Sequence, residues 1–223
     1  PSANSDLEIY CQRLDGATGA EIGANDFRVS DMGPDLSSTF AAQEPAVAWA
    51  SGPDEYLIVW WGDDDTAPLV SGEDEIFAQR LAGASGIEVG ANDFRVSDMG
   101  PNGNGAYDAA HPTVAYTPTH DEYLLCWAAD DDLAGVVDVE DGIFCQRLAA
   151  ATGAEVGAND FRVSAMGPDG DATWHAELEA VLLFPRRGAP QARRAVGARG
   201  EHRAAVGREG ERAHRAAVAQ PHA

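Results

Sequence analysis

Apolar residues along this chain come in short runs. Ile9-Tyr-Cys-Gln-Arg-Leu14 has apolar groups on both alternating faces, and so do its recurrences at residues 76–81 and 143–148. Six residues patterned this way predict a strand covered on both sides. A Gly-rich link, Asp15-Gly-Ala-Thr-Gly19, has turn chemistry. Phe27-Arg-Val-Ser30 predicts the next strand, closed by Met32-Gly-Pro34 because Pro34 lacks the N–H that a further ladder bond needs. Pro45 to Trp49, repeated as Pro112 to Tyr116, predicts a third strand, and a turn at residues 51–55 follows it. Tyr56-Leu-Ile-Val-Trp-Trp61, repeated as Tyr123-Leu-Leu-Cys-Trp-Ala128, is the most apolar run. No segment of the unit has helical periodicity.

These runs belong to one repeat. Gly23-Ala-Asn-Asp-Phe-Arg-Val-Ser-Asp-Met-Gly-Pro34 returns unaltered at residues 90–101, and at 157–168 with Ala165 for Asp31, a spacing of 67 residues each time. A fixed self-similarity of this size marks an array of one structural unit. Naming the strands A (45–49), B (56–61), C (76–81) and D (94–97), the chain supplies C and D, then A to D twice, then one more A. The units are a partial one at 1–30, full ones at 31–97 and 98–164, and the start of another at 165–183.

Four antiparallel strands per repeat is the count of a β-propeller blade, although 67 residues exceeds the ~40–50 of common blades. The fold class expected is therefore all-β, an incomplete propeller-type array of about two full blades and partial ones. The order Pro-x-Val-Ala, Tyr-Leu-x-x-Trp, acidic loop, Ile-Phe-x-Gln-Arg-Leu resembles propeller-like repeats of large secreted bacterial proteins, over residues 6–183. That resemblance implies an extracellular or cell-surface setting and brings no catalytic motif. A tandem immunoglobulin-like sandwich is the competing fold, but it needs about seven strands in ~100 residues. Two full blades fall short of the ~4–8 that close a ring, so apolar end faces are expected to be covered by further blades or by self-association.

Charge separates the body from its end. The chain holds 37 acids and 15 bases, every base an Arg, for a net charge of -22. Residues 1–183 contain 34 of the acids and 6 Arg, while residues 184–223 contain 3 acids and 9 Arg. A body this acidic repels phosphate backbones, which excludes nucleic acid as its partner and disfavours anionic membranes. No apolar run approaches the ~18 residues of a membrane span. Residues 184–223, rich in Arg, Ala and Gly, read either as the product of a shifted reading frame or as a basic tail, disordered or helical near 201–219.

The cysteines give no framework. Cys11 and Cys145 share a repeat position with Ala78, and Cys126 stands where Val59 does. Exchange with Ala and Val predicts small buried apolar groups rather than a disulfide or metal ligands.

Candidate chemistry collects on one face. In an antiparallel A-B-C-D unit the B–C and D–A loops leave from the same end of the sheet, and the A–B and C–D turns from the other. The copies also differ most in those two loops, as a binding surface on a rigid scaffold would and as drifting solvent loops would. The B–C loops carry Asp63, Asp64, Asp65, Glu73 and Asp74 in one copy, and Asp130, Asp131, Asp132, Glu140 and Asp141 in the next. Clustered carboxylates suit Ca²⁺, although the spacing is not an EF-hand's; a solvated acidic loop is the plainer reading. The D–A loops each hold one aromatic, Phe40, Tyr107 and Trp174. These read as staples holding loop to sheet, or as stacking platforms for a glycan. Arg13, Arg80 and Arg147, with Arg28, Arg95 and Arg162, are expected to pair with Asp26, Asp93, Asp160 or loop acids. Nucleophile elbow, zinc-protease, P-loop and Cys-x-x-Cys motifs are all missing from the sequence. The function expected is a non-catalytic binding or scaffold module, its ligand a glycan, Ca²⁺ or a surface protein. The alternative is an accessory part of a larger secreted enzyme.

Overall fold

The computed structural model describes residues 7–64, 66–130 and 141–164, together with the backbone of two strands at 174–178 and 198–202. It is all-β. Sheet I contains β1 (Tyr10–Leu14) and β2 (Glu21–Arg28). Sheet II is the meander β3 (Ala42–Ala50), β4 (Glu55–Gly62), β5 (Glu75–Ala82) and β6 (Glu88–Arg95). Sheet III repeats it with β7 (Ala109–Thr117), β8 (Glu122–Ala129), β9 (Gly142–Ala149) and β10 (Glu155–Arg162). Every pairing within these sheets is antiparallel. Residues 45–61, the most apolar part of the unit, are strand and turn as expected.

The double-sided apolar pattern of strands B and C explains how the sheets meet. Leu57 and Val59 of β4, with Ile76 and Ala78 of β5, point toward sheet III and pack on Tyr123, Leu125, Trp127, Phe144 and Leu148. Ile58 and Trp60, with Phe77 and Leu81, point the other way and pack on Ile9, Val29 and Met32 of sheet I. A strand whose alternate residues are all apolar cannot leave either face in water without losing about 25 cal/mol per Å² exposed. Sheet I marks where that cover ends. Tyr10 and Leu14, on its outer face, are exposed, whereas their repeat equivalents Phe77 and Leu81 are buried.

Strand D differs from expectation. It runs over residues 88–95 rather than 94–97, because the Gly-Ala-Asn-Asp stretch is a bulge inside the strand and not a link before it. Arg80 pairs with Val89 and Ala78 with Phe94, so the intervening residues of β6 are displaced from the ladder. Gly90 and Asp93 take positive φ of 88° and 46° there, and Gly23, Asp26, Gly157 and Asp160 do likewise in the other copies. The fully buried Gln79 fills the gap: its Oε1 accepts the Asp93 N–H at 3.0 Å, and its Nε2 donates to the Arg80 carbonyl at 2.9 Å. Gln12 and Gln146 do the same in sheets I and III.

Asp93 and Asp160 of the bulges reach across to backbone instead. The Asp93 carboxylate accepts the Asp31 N–H from sheet I, and Asp160 accepts the Asp98 N–H from sheet II at 2.7 Å. The bulges of sheets II and III therefore each latch their sheet to the one before it. The Arg residues pair with loop and strand-end acids instead: Arg28 with Glu8, Asp31 and Asp35, Arg95 with Glu75 and Asp98, Arg80 with Glu55, and Arg147 with Glu122. A guanidinium projecting from strand C also reaches forward. Arg13 donates to the carbonyls of Gly83 and Ala84, and Arg80 to that of Ala151.

Glu75 is wholly buried at the start of β5, where it accepts from Ser97 Oγ and the Met99 N–H and faces Arg95. Glu8 holds Ser30, Met32 and Arg28 in the same way. In sheet III Gly142 takes this position, and a Cβ added to it would lie 3.0 Å from Arg162 Nε.

The cysteine expectation is overturned for two of the three. Cys126 and Cys145 form a disulfide, because the hairpin register sets them directly opposite on β8 and β9, as it sets Val59 opposite Ala78. Cys11 is free and half-buried. Strand β11 (Trp174–Leu178) lies within residues 165–183, the expected start of another unit, and pairs with β12 (Ala198–His202). A strand therefore falls in the Arg/Ala/Gly-rich stretch, since ladder bonds use backbone alone. Residues 179–197 and 203–223, with the readings made of them, lie outside the described residues.

Two outcomes follow. Gln79→Ala leaves the Asp93 N–H and a void inside the bulge, and should cost about 2–4 kcal/mol in urea unfolding; a loss within error would remove Gln79 from the account. Reducing the Cys126–Cys145 bond, which closes a loop with a sequence separation of 19 residues, should cost about 3 kcal/mol. The Cys126→Val/Cys145→Ala variant, which copies sheet II, should fold with a similar loss.

Candidate binding face

The loops sort to the two ends as the strand order requires. At one end the C–D turn meets the A–B turn of its own sheet, with the Gly83 N–H on the Asp54 carbonyl at 2.8 Å and the Ala150 N–H on that of Asp121 at 2.9 Å. At the other end the B–C and D–A loops interlock. The Gly33 N–H donates to Asp64 at 3.3 Å, the Gly103 N–H to Glu73 at 2.9 Å, and the Asp74 N–H to Asp108 at 3.3 Å.

Carboxylates gather at this second end. Asp63 leaves β4 and is 5% exposed; its Oδ2 accepts the Gly72 N–H at 2.6 Å, while its buried Oδ1 has no hydrogen-bond partner among the described residues. Glu73 is 0% exposed; its Oε2 accepts the Val70 and Gly103 N–H groups, and its Oε1 has no such partner among the described residues. Burial, with Asp64 and Glu73 nearby, pushes the Asp63 carboxyl above its ordinary range. Asp74 is pushed up to about 6 by burial, then by Asp108 and Asp63. Asp108 is raised by burial, then by Asp141 and Glu73. Asp130, the equivalent of Asp63, is also buried.

The structure thus brings together Asp63, Asp64, Glu73, Asp74 and Asp141 and adds Asp108, which the sequence reading did not select. Asp108 is unrepeated, with Ala41 at its place in the preceding copy, so the repeat carried no signal for it. Asp65, Asp131, Asp132 and Glu140 lie outside the described residues. Among the described residues, no three His, Cys, Asp or Glu side chains are arranged to hold a metal ion.

The aromatics sit under the same loops. Phe40 is half-buried against the core of sheets I and II, and Tyr107 against that of sheets II and III. Each ring lies on the glycine of the Met-Gly-Pro motif, so that a Cβ on Gly33 or Gly100 would fall 2.5 Å or 2.3 Å from it. Both glycines take positive φ, 60° and 64°. The geometry supplied is that of a loop anchor. The side chain of Trp174 is outside the described residues.

These sheets and loops define an all-β protein of stacked antiparallel meanders. No family model matches the chain, and no curated protein matches it. Among solved structures it is similar to exo-β-1,3-galactanase from Phanerochaete chrysosporium in complex with β-1,3-galactotriose. Two variants of that enzyme align with TM-scores of 0.29 and 0.25, at 13% and 14% identity, over 79% and 78% of this chain. The chain spans 48% of the length of each. A likeness this slight carries no functional argument.

One pH effect can be signed. Burial pushes the Asp93 carboxyl up to about 7, opposed by the Asp31 N–H and reinforced by Glu88, Asp31 and Glu8. A carboxyl with a folded pKa above its unfolded one binds more protons when folded, so its contribution is greatest at low pH and is lost as pH rises through about 7. The thermal midpoint should therefore rise between about pH 8 and about pH 5. Asp93→Asn keeps an acceptor for the Asp31 N–H and should flatten that slope; an unchanged slope would clear Asp93 of responsibility.

Proposed function

We propose that the four-stranded repeats are blades of a β-propeller-type array, and that the chain is a non-catalytic binding or scaffold module working outside the cell or at its surface. The B–C and D–A loops form the ligand face, and the ligand is a divalent cation, with Ca²⁺ the first choice. The observation that carries this reading is the pair Asp63 and Glu73, two buried carboxylates each keeping one oxygen without a hydrogen-bond partner among the described residues. An unpaired buried charge is costly, and a hard cation wanting oxygen ligands relieves it. Loop carbonyls and water would complete the six to eight oxygens that Ca²⁺ takes. The Cys126–Cys145 disulfide supports an oxidising compartment. The opposite end supports a scaffold, since its C–D turns change little between copies and carry the Arg contacts that join the sheets.

Isothermal calorimetry tests the proposal. Ca²⁺ should bind with a dissociation constant of about 10⁻⁴–10⁻³ M, the range of extracellular modules, and should raise the thermal midpoint. The variant Asp63→Asn/Glu73→Gln should lose both effects while keeping its fold. Absence of heat at millimolar Ca²⁺ would end the cation reading.

A further inference from the structure

In sheets II and III the edge of strand C opposite strand D is occupied, β4 lying along β5 and β8 along β9. The same edge of β1 has no strand beside it among the described residues. Next to it runs a groove of about 570 Å³ between β1 and the face of sheet II, lined by Ile9, Cys11, Val47, Tyr56, Ile58 and Leu81. We propose that this edge is a strand acceptor. Its occupant is the second strand of another repeat of this kind, an extended Tyr-Leu-x-x-Trp segment that adds antiparallel to β1 and closes the groove.

Three observations within the chain say what fits. Sheet III shows the filled state of the same groove. There β3 and β4 cover the face, Tyr123 is 0% exposed, and its hydroxyl donates at 3.1 Å to the carbonyl of Glu55, the first residue of β4. Tyr56, at the equivalent place on sheet II, is 38% exposed and lines the groove. An added strand brings a carbonyl to that hydroxyl. Val47 is 62% exposed, whereas its equivalent Val114 packs against the core. The groove thus continues the packing that sheets II and III already show.

Register is set by the third observation. Strand B pairs with strand C so that Val59 faces Ala78 and Cys126 faces Cys145. Cys11 holds that position on β1, so the fourth residue of an incoming Tyr-Leu-x-x-Trp segment lies directly across from it. Among the described residues a second copy of this chain has no such strand to lend, because β4 and β8 are both central strands of their own sheets. The inference rests on the blade reading above but not on its cation, so the two can fail separately.

The test uses the full chain and a peptide of residues 122–129, supplied as the mixed disulfide of its cysteine with glutathione. The Cys11 thiolate attacks the peptide sulfur, and glutathione leaves as the thiol. A control peptide exchanges the positions corresponding to Leu125 and Cys126, which turns the sulfur to the other face of the strand. The in-register peptide should link to Cys11 at least about tenfold faster than the control, and Cys11→Ala should abolish the product. A non-covalent version of the peptide, with Val for Cys as in β4, should slow hydrogen exchange of the β1 amides. Equal rates for the two peptides, or no added protection of β1, would overturn the proposal. So would self-association through β1 that the peptide fails to displace, which would make a second copy the occupant.

Discussion

The structure depends on the packing of one sheet face on the next. Strands B and C are apolar on both sides, so each four-stranded sheet has two surfaces to cover and, among the described residues, no helix to cover them with. Leu57 and Val59 bury against sheet III while Ile58 and Trp60, their neighbours in sequence, bury against sheet I. A single meander of this composition would have most of its apolar surface in water. Stability in such an array is a sum over neighbouring interfaces rather than a property of any one unit.

Polar groups then fix how the sheets register against one another. The bulge in strand D turns a carboxylate out of the ladder and onto a backbone N–H of the preceding sheet, as Asp93 does with Asp31 and Asp160 with Asp98. Gln79 pairs with the Asp93 N–H and the Arg80 carbonyl inside the bulge. Arg13 and Arg80 provide a second link at the opposite end, to the C–D turn of the next sheet. Each sheet is thus tied to its neighbour at two points besides the apolar contact, and the B–C and D–A loops are left to vary.

Strand number, order and the end at which each loop emerges were legible from alternation and the 67-residue repeat alone, because both reflect the period-two geometry of a strand. The bulge was not, since Gly-Ala-Asn-Asp carries turn residues and nothing local says that Glu88 and Val89 pair before it. The disulfide was legible in principle: aligning Val59 with Ala78 across the hairpin also aligns Cys126 with Cys145. Substitution by Ala and Val elsewhere in the repeat pointed to simple packing and hid it. The acidic face was recognised as a cluster, but which carboxylates are buried depends on how the loops fold back on each other. Asp108 came in only through that fold.

Native-state hydrogen exchange of the full chain tests the central claim most directly. If neighbouring sheets hold one another in place, the amides of β4, β5, β8 and β9 open together with one free energy, and those of the half-covered β1 and β2 open earlier. Separate opening energies for sheets II and III, each unaffected by a cavity cut into the other with Leu125→Ala or Leu57→Ala, would show that the sheets are independent and would contradict the account.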